Sequence, residues 1–284
     1  MQKKQAALIA ITGGVVIFGI KLLAYFLSNS VALLSDALES IVNIAASALM
    51  FFSVRISEKA ADEDYNYGYL KVEEISSMLE GLFIVVAAFL IAYTAVGRLF
   101  ESSRLLELNL AIGVSMVATI LHGVLSWFLG RAAKERGSSA LEGDSKHLLS
   151  DVISSIGVWI GLFIVEFTGW DFVDSILAFA VSILIVRMGI GLILQTSGHL
   201  MDKSSKEGEE KIRNVLLRNK SKFLDYHYLR TRHYGDLIFA EMHLTVDGSL
   251  SVEEAHALTD YLLGEFRKEL PTIQVTIHIE PKKK

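Results

Sequence analysis

The chain has 284 residues, 52% hydrophobic and 21% charged, with a net charge of -5, no cysteine and a mean hydropathy of +0.43. So apolar a composition excludes an ordinary soluble domain, the lack of cysteine excludes disulfides and thiolate metal sites, and the dispersed, mildly acidic charge gives no nucleic-acid footprint. A membrane protein is the class that remains.

A bilayer-crossing helix takes about 20 mostly apolar residues. Six stretches meet that length, residues 6–27, 31–54, 75–96, 108–130, 147–167 and 172–195. The first is too long for a signal-peptide core and has no small-residue cleavage site after it, so it reads as a retained helix. The links at 28–30 and 168–171 are short enough to make spans one and two, and five and six, antiparallel hairpins. Lys3 and Lys4, Arg55, Lys59 and Lys71, Arg131, Lys134 and Arg136, and Lys203 and Lys206 all fall on one face. The lysine and arginine bias assigns that face, with both termini, to the cytoplasm, against Arg98 and Arg104 on the other side. The cell membrane is the expected location.

From Met201 the pattern becomes that of a soluble domain. Residues 207–219 form an amphipathic helix, and 226–233 and 237–246 form strands around Tyr234-Gly235-Asp236. Ser251 with Glu253 and Glu254 starts a helix that runs to Glu269. Pro271 separates it from a last strand at 274–279. The order α-β-β-α-β predicts a small two-layer domain. The expected division is a six-helix transmembrane domain at 1–200 and a cytoplasmic α+β domain at 201–284.

Spans two and five carry matched polar stripes. Asp36, Glu39 and Asn43 in one, and Asp144, His147 and Asp151 in the other, are spaced by three and then four residues, which puts each set on one helix face. Ionisable groups inside a bilayer are costly and mark function. Ser40, Ser47, Ser154 and Ser155 on the same stripes read as helix-packing hydroxyls. Glu39, Asn43, His147 and Asp151 supply two carboxylates, an amide oxygen and an imidazole, a set that suits four-coordinate zinc and also manganese or ferrous iron. Asp36 is a further candidate, and Asp144 divides evenly between a structural and a functional reading. Protons compete for such ligands, so metal binding should release them.

Other charged residues have simpler readings. Lys21 is expected to snorkel from span one, and Glu80 to pair with Arg187. Asp62, Glu63 and Asp64 read as a solvated acidic loop without an ordered metal site. His122, His199 and His233 read as structural, with His122 the one most worth testing. In the tail, His227, His243 and His278 lie on three predicted strands and can converge, with His256 and Glu280 nearby in sequence.

The run Ala32-Leu33-Leu34-Ser35-Asp36-Ala37-Leu38-Glu39-Ser40, the pair His147 and Asp151, and Leu229-Arg230-Thr231-Arg232 together resemble the cation diffusion facilitator family. So do Glu254-Ala255-His256 and Thr276-Ile277-His278-Ile279-Glu280-Pro281. The resemblance covers essentially the whole chain. It implies a homodimeric exporter of divalent cations driven by inward proton movement, with six helices and a ferredoxin-like, metallochaperone-like cytoplasmic domain for dimerisation and regulation. It places the transport site on Glu39, Asn43, His147 and Asp151, and a cytoplasmic metal site at the dimer interface on His227, His243, His256, His278 and Glu280. It also implies a Lys71–Asp202 pair tying the membrane part to the tail. Zinc or another divalent metal is then substrate and regulatory ligand, with no catalytic cofactor. Two departures stand out: the span-two pair is Glu39 and Asn43 where the family usually has Asp or His followed by Asp, and Tyr228 stands where an acid often follows the first tail histidine. The frame Gly68-Tyr69-Leu70-Lys71-Val72-Glu73 lacks the histidines some members carry before it.

Two other classes fit part of the sequence. A membrane-embedded metalloenzyme needs an open metal position and a general base, and no His-Glu-x-x-His or Gly-x-Ser-x-Gly run occurs. A passive channel needs ligand rings or a carbonyl filter rather than one compact four-ligand site.

Overall fold

The computed structural model describes residues 3–28, 31–98, 108–168, 172–235 and 237–282. It divides into two compact units, Met1–Ser197 and Gly198–Lys284. Parts of the two expected hairpin links, Arg104 and Asp236 lie outside the described residues.

The first unit contains α1 (Lys3–Ser28), α2 (Val31–Ser57), α3 (Lys71–Arg98), α4 (Leu108–Arg136), α5 (Ser139–Thr168) and α6 (Phe172–Leu200), the last ending just beyond the unit boundary. Among the described residues, Lys3–Leu23, Lys71–Gly97, Met116–Arg136 and Phe179–Leu200 are long and apolar enough to cross a bilayer. The bundle interior relies on small side chains. Ala6, Ala7 and Ala10 of α1 pack with Met50, Val54, Leu125, Leu129, Ala140, Leu141 and Leu148. Alanine lets helix backbones approach closely, which suits a setting where lipid removes the hydrophobic drive between helices. Large apolar residues such as Phe26, Phe52, Phe89, Trp127 and Leu194 stay exposed, as lipid-facing residues should. A second cluster joins Ile84 and Ala88 of α3 to Ile185 and Leu192 of α6.

Three expectations are corrected here. Helix α5 begins at Ser139, not near His147. Gly137, at φ 54, ends the preceding turn, and Ser138 caps the new helix by accepting from the Leu141 amide at 3.4 Å. Asp144 is therefore inside a helix and fully buried. Lys21 does not snorkel to the surface but is 5% exposed, within electrostatic reach of buried His122. Glu80 makes no ion pair with Arg187, because Glu80 is fully buried while α6 turns Arg187 outward.

Polar ties concentrate where α3 begins. Glu73 Oε1 accepts from Ser57 Oγ at 2.6 Å and pairs with Lys3 Nζ at 2.9 Å, and Glu73 Oε2 accepts from the Ser138 hydroxyl. Glu74 accepts from Ser139 Oγ at 2.6 Å. One acidic pair thus holds the ends of α1, α2 and α5 together, and each buried carboxylate is hydrogen-bonded.

The second unit runs α7 (Lys206–Arg218), a short 3-10 turn, β1 (Asp225–Tyr234), β2 (Leu237–Val246), α8 (Val252–Glu269) and β3 (Ile273–Pro281). Ser205 caps α7, and Ser251 with Glu254 forms a capping box on α8. The sheet order is β1-β2-β3, with β1 antiparallel and β3 parallel to β2. The α8 crossover is what a parallel β2–β3 pair requires. Ile212, Leu216, Leu262 and Phe266 of the helices bury one sheet face through Met242 and Leu244. Residues of alternate parity, including His243, are left on the helix-free face.

Candidate metal centres

In the membrane unit the two stripes meet. Asn43 of α2 bridges two residues of α5: its Nδ2 donates to Asp151 Oδ2 at 2.7 Å, and its Oδ1 lies 3.2 Å from His147 Nε2. An amide oxygen only accepts, so Nε2 carries a proton in this arrangement. One turn along, Ser47 Oγ stands 3.1 Å from both oxygens of Asp144. Asn43 is 5% exposed and His147 4%, so the cluster sits in a setting where charge needs a partner. Asp36 and Glu39 occupy backbone positions in α2, but their side chains lie outside the described residues. Three of the four expected transport ligands are therefore seen brought together.

In the tail, cross-strand register does the assembly. His227 pairs with His243, and His243 with His278, so the three strands present a row of imidazoles on the helix-free face. Ring centroids of His227 and His243 are 5.2 Å apart, and those of His243 and His278 4.7 Å. Glu280 reaches the row from β3, with Oε1 2.7 Å from His227 Nε2 and 3.8 Å from His243 Nδ1. Ligand atoms of His227, His243 and Glu280 all lie within 4.8 Å of one another, a spacing that one metal ion can span. His278 flanks this trio beside a cavity of about 270 Å³ shared with Tyr228, Arg230 and Glu241. His256 is apart on α8, exposed and 3.5 Å from Asp260.

Sequence reading missed how β1 is shaped. Its register shifts between His227 and Arg230, and Tyr228 has φ 52. A non-glycine residue there is uncommon and costs energy, and bulges re-aim side chains next to sites. The Tyr228 ring then stands 5.3 Å from that of His243. Within its own unit, the Asp202 carboxylate accepts from Arg232 at 3.3 Å and from the Tyr234 hydroxyl. Lys71 belongs to the other unit.

The α2–α3 loop turns its first acid inward on itself. Asp62 accepts from the Tyr69 hydroxyl at 2.6 Å and from the Tyr65 amide at 2.8 Å. The Tyr69 bond holds the Asp62 carboxyl below its ordinary range, and the same bond pushes the Tyr69 phenol up to about 12. The carboxylate expected to be merely solvated thus organises the loop.

Residues 7–201 match the family model of the cation efflux transmembrane domain, and residues 205–282 that of the cation efflux protein cytoplasmic domain. An uncharacterized transporter, sll1263, of Synechocystis is 36% identical over 97% of this chain and 89% of its own. The cation-efflux pump FieF of Shewanella oneidensis is 29% identical over 98% of this chain and 94% of its own. Among solved structures, the metal-bound C-terminal domain of the CzcD transporter from Thermotoga maritima is 37% identical over 28% of this chain and 91% of that one, with a TM-score of 0.26.

Proposed function

The chain belongs to the cation diffusion facilitator family of cation efflux transporters, and from that premise we propose that it exports divalent transition-metal cations from the cytoplasm in exchange for protons. Zinc is the foremost cargo, with manganese, iron, cobalt and nickel as other ions the donor set can take. Glu39, Asn43, His147 and Asp151 bind the cargo inside the membrane unit, with Asp36 as an accessory acid. The observation that carries the reading is the Asn43 bridge between His147 and Asp151. It supports a site whose donors are already gathered across α2 and α5. Nε2 must surrender its proton before it can ligate a metal, so cargo and proton occupy the same nitrogen in turn. The working unit is a homodimer in the cell membrane with both termini cytoplasmic. Metal flux into proteoliposomes with and without a pH gradient tests exchange against a channel or an enzyme.

The tail acts as a regulatory metal site on His227, His243, His278 and Glu280, with His256 joining from the dimer contact. Residues 198–284 have their own core, so this segment should fold, dimerise and bind zinc alone. His227→Ala with His243→Ala removes two of three gathered ligands. Zinc affinity measured by calorimetry should drop by roughly 100-fold or more, given that even outer-shell partners are worth about 10- to 100-fold. Transport should survive in part. An unchanged isotherm would remove the tail site from the account.

Asn43 sets selectivity. Asn43→Asp replaces the donor that faces Asp151 at 2.7 Å with a second carboxylate, and two carboxylates that close demand a shared cation. The Michaelis constant should fall roughly tenfold at alkaline pH, and manganese should gain on zinc because added oxygen charge favours harder ions. If Asn43→Asp and Asn43→Ala both leave KM and ion preference unaltered, Asn43 is a packing residue.

A further inference from the structure

Part of α3 carries polar atoms that lack partners. Among the described residues, both carboxylate oxygens of Glu80 and the hydroxyls of Ser76 and Ser77 are buried without a hydrogen bond. Glu80 and Ser77 are 0% exposed and Ser76 2%. Such orphaned oxygens are rare and each costs desolvation energy. Ser77 and Glu80 lie against a specific place on α5. Gly143 of α5 lets α3 press against it: a Cβ there would stand 3.0 Å from Ser77 Oγ and 3.1 Å from Glu80 Cγ. The next residue is Asp144, itself 0% exposed and held by Ser47 of α2. Glu80 and Asp144 thus flank the same tight α3–α5 contact, both fully buried. Two dry acids on either side of a glycine contact, with unbonded hydroxyls beside them, must either hold protons or share a cation.

We propose that Glu80 and Asp144, with the Ser77 hydroxyl, form a second oxygen-lined cation position through which the divalent cargo passes on its way to or from the His147–Asp151 site. The proposal rests on the transport reading above and deepens it. Asp144 precedes His147 by three residues, about 4.5 Å along the helix axis, toward the end of the bundle that carries the α2–α3 and α4–α5 connections. The two positions are therefore within about one helical turn of each other along α5. Carboxylates and hydroxyls without nitrogen suit a hard cation such as manganese better than zinc, so this position tolerates several ions while the inner one selects.

The test uses the full-length protein with Mn²⁺ as probe. Equilibrium dialysis, in a His227→Ala/His243→Ala background that silences the tail, compares Asp151→Ala with Asp151→Ala/Glu80→Gln. The first should keep a weak Mn²⁺ site, and the second should lose it. In proteoliposomes, Glu80→Gln should raise KM for Mn²⁺ at least tenfold, and Glu80→Asp should recover most of the loss. Asp144→Asn is the second variant, held to the same outcomes should Glu80→Gln fail to fold. Equal Mn²⁺ binding by the two dialysis variants, or an unmoved KM, overturns the proposal. A shifted pH profile with KM intact also overturns it, because that result describes a proton carrier only. If Asp151→Ala still transports, the transport reading itself falls; if it is dead while Glu80→Gln behaves as wild type, only this inference falls.

Discussion

Asp151→Ala is expected to reduce metal flux to the level of protein-free vesicles while the protein still inserts and dimerises. Asp151 is one of two α5 residues that Asn43 reaches from α2, and the one that accepts from its Nδ2. Removing its carboxylate takes away one of two negative charges that neutralise a divalent ion in the site. It also leaves the Asn43 amide without its acceptor. Metal affinity responds by about 10- to 100-fold to outer-shell changes alone, so losing a direct charged ligand should exceed a hundredfold. The companion measurement is proton coupling. Inside-out vesicles that are acid inside should take up metal, and uptake should stop when the pH gradient is collapsed at constant membrane potential. Flux that ignores the gradient would mean the site conducts rather than exchanges. Flux that persists in Asp151→Ala would place the cargo elsewhere.

Much of this architecture was legible before any coordinates, because helices write their faces in a period of three and four. The stripes ending in Asn43 and Asp151 are such a case, and the structure joins them by hydrogen bonds. The tail strands were legible for a similar reason: alternation with a period of two marked β2 at Leu237–Val246, and the facing of His227, His243 and His278 follows from register. What stayed hidden depends on contacts remote in sequence. Ser138 and Ser139 look like any loop serines, yet each binds an acid 65 residues away. These contacts and the Ser138 cap place the true start of α5, which apolarity alone set too late because Glu142, Asp144 and Lys146 dilute it. Lys21 and Glu80 misled in the same way, since a hydropathy reading sees a charge in a span but not which way the helix turns it. The bulge at Tyr228 had no local signal at all, as neither glycine nor proline marks it.

The close approach of α3 and α6 at Gly81 and Gly189 also had no motif to announce it, and it carries the second large expected effect. Gly189→Val should destabilise the membrane unit severely, and Gly191→Val, two residues along α6, should be nearly silent. A Cβ at Gly189 would stand 2.9 Å from the Gly81 carbonyl oxygen and 2.7 Å from Val85 Cγ2, whereas at Gly191 it meets nothing within 4 Å. The clash is with backbone. The Gly81 carbonyl is fixed by the α3 hydrogen-bond ladder and cannot rotate away, so the two helices must part. Parting them loosens Ile84 and Ala88 against Ile185 and Leu192, where close packing of small residues is the main source of cohesion. Overpacking a soluble core costs about 1–3 kcal/mol, and a rigid backbone partner puts this case at or above the upper end. The damage should spread to function, because α3 also carries Glu73, which ties together the start of α1, the end of α2 and the residue before α5, and Glu80. Both variants add the same β-branched side chain to the same helix, so intrinsic propensity cancels in the comparison. Melting of the purified protein, followed with flux, should show Gly189→Val far below wild type and Gly191→Val close to it. Equal melting of the two variants would mean that α3 and α6 do not depend on that crossing.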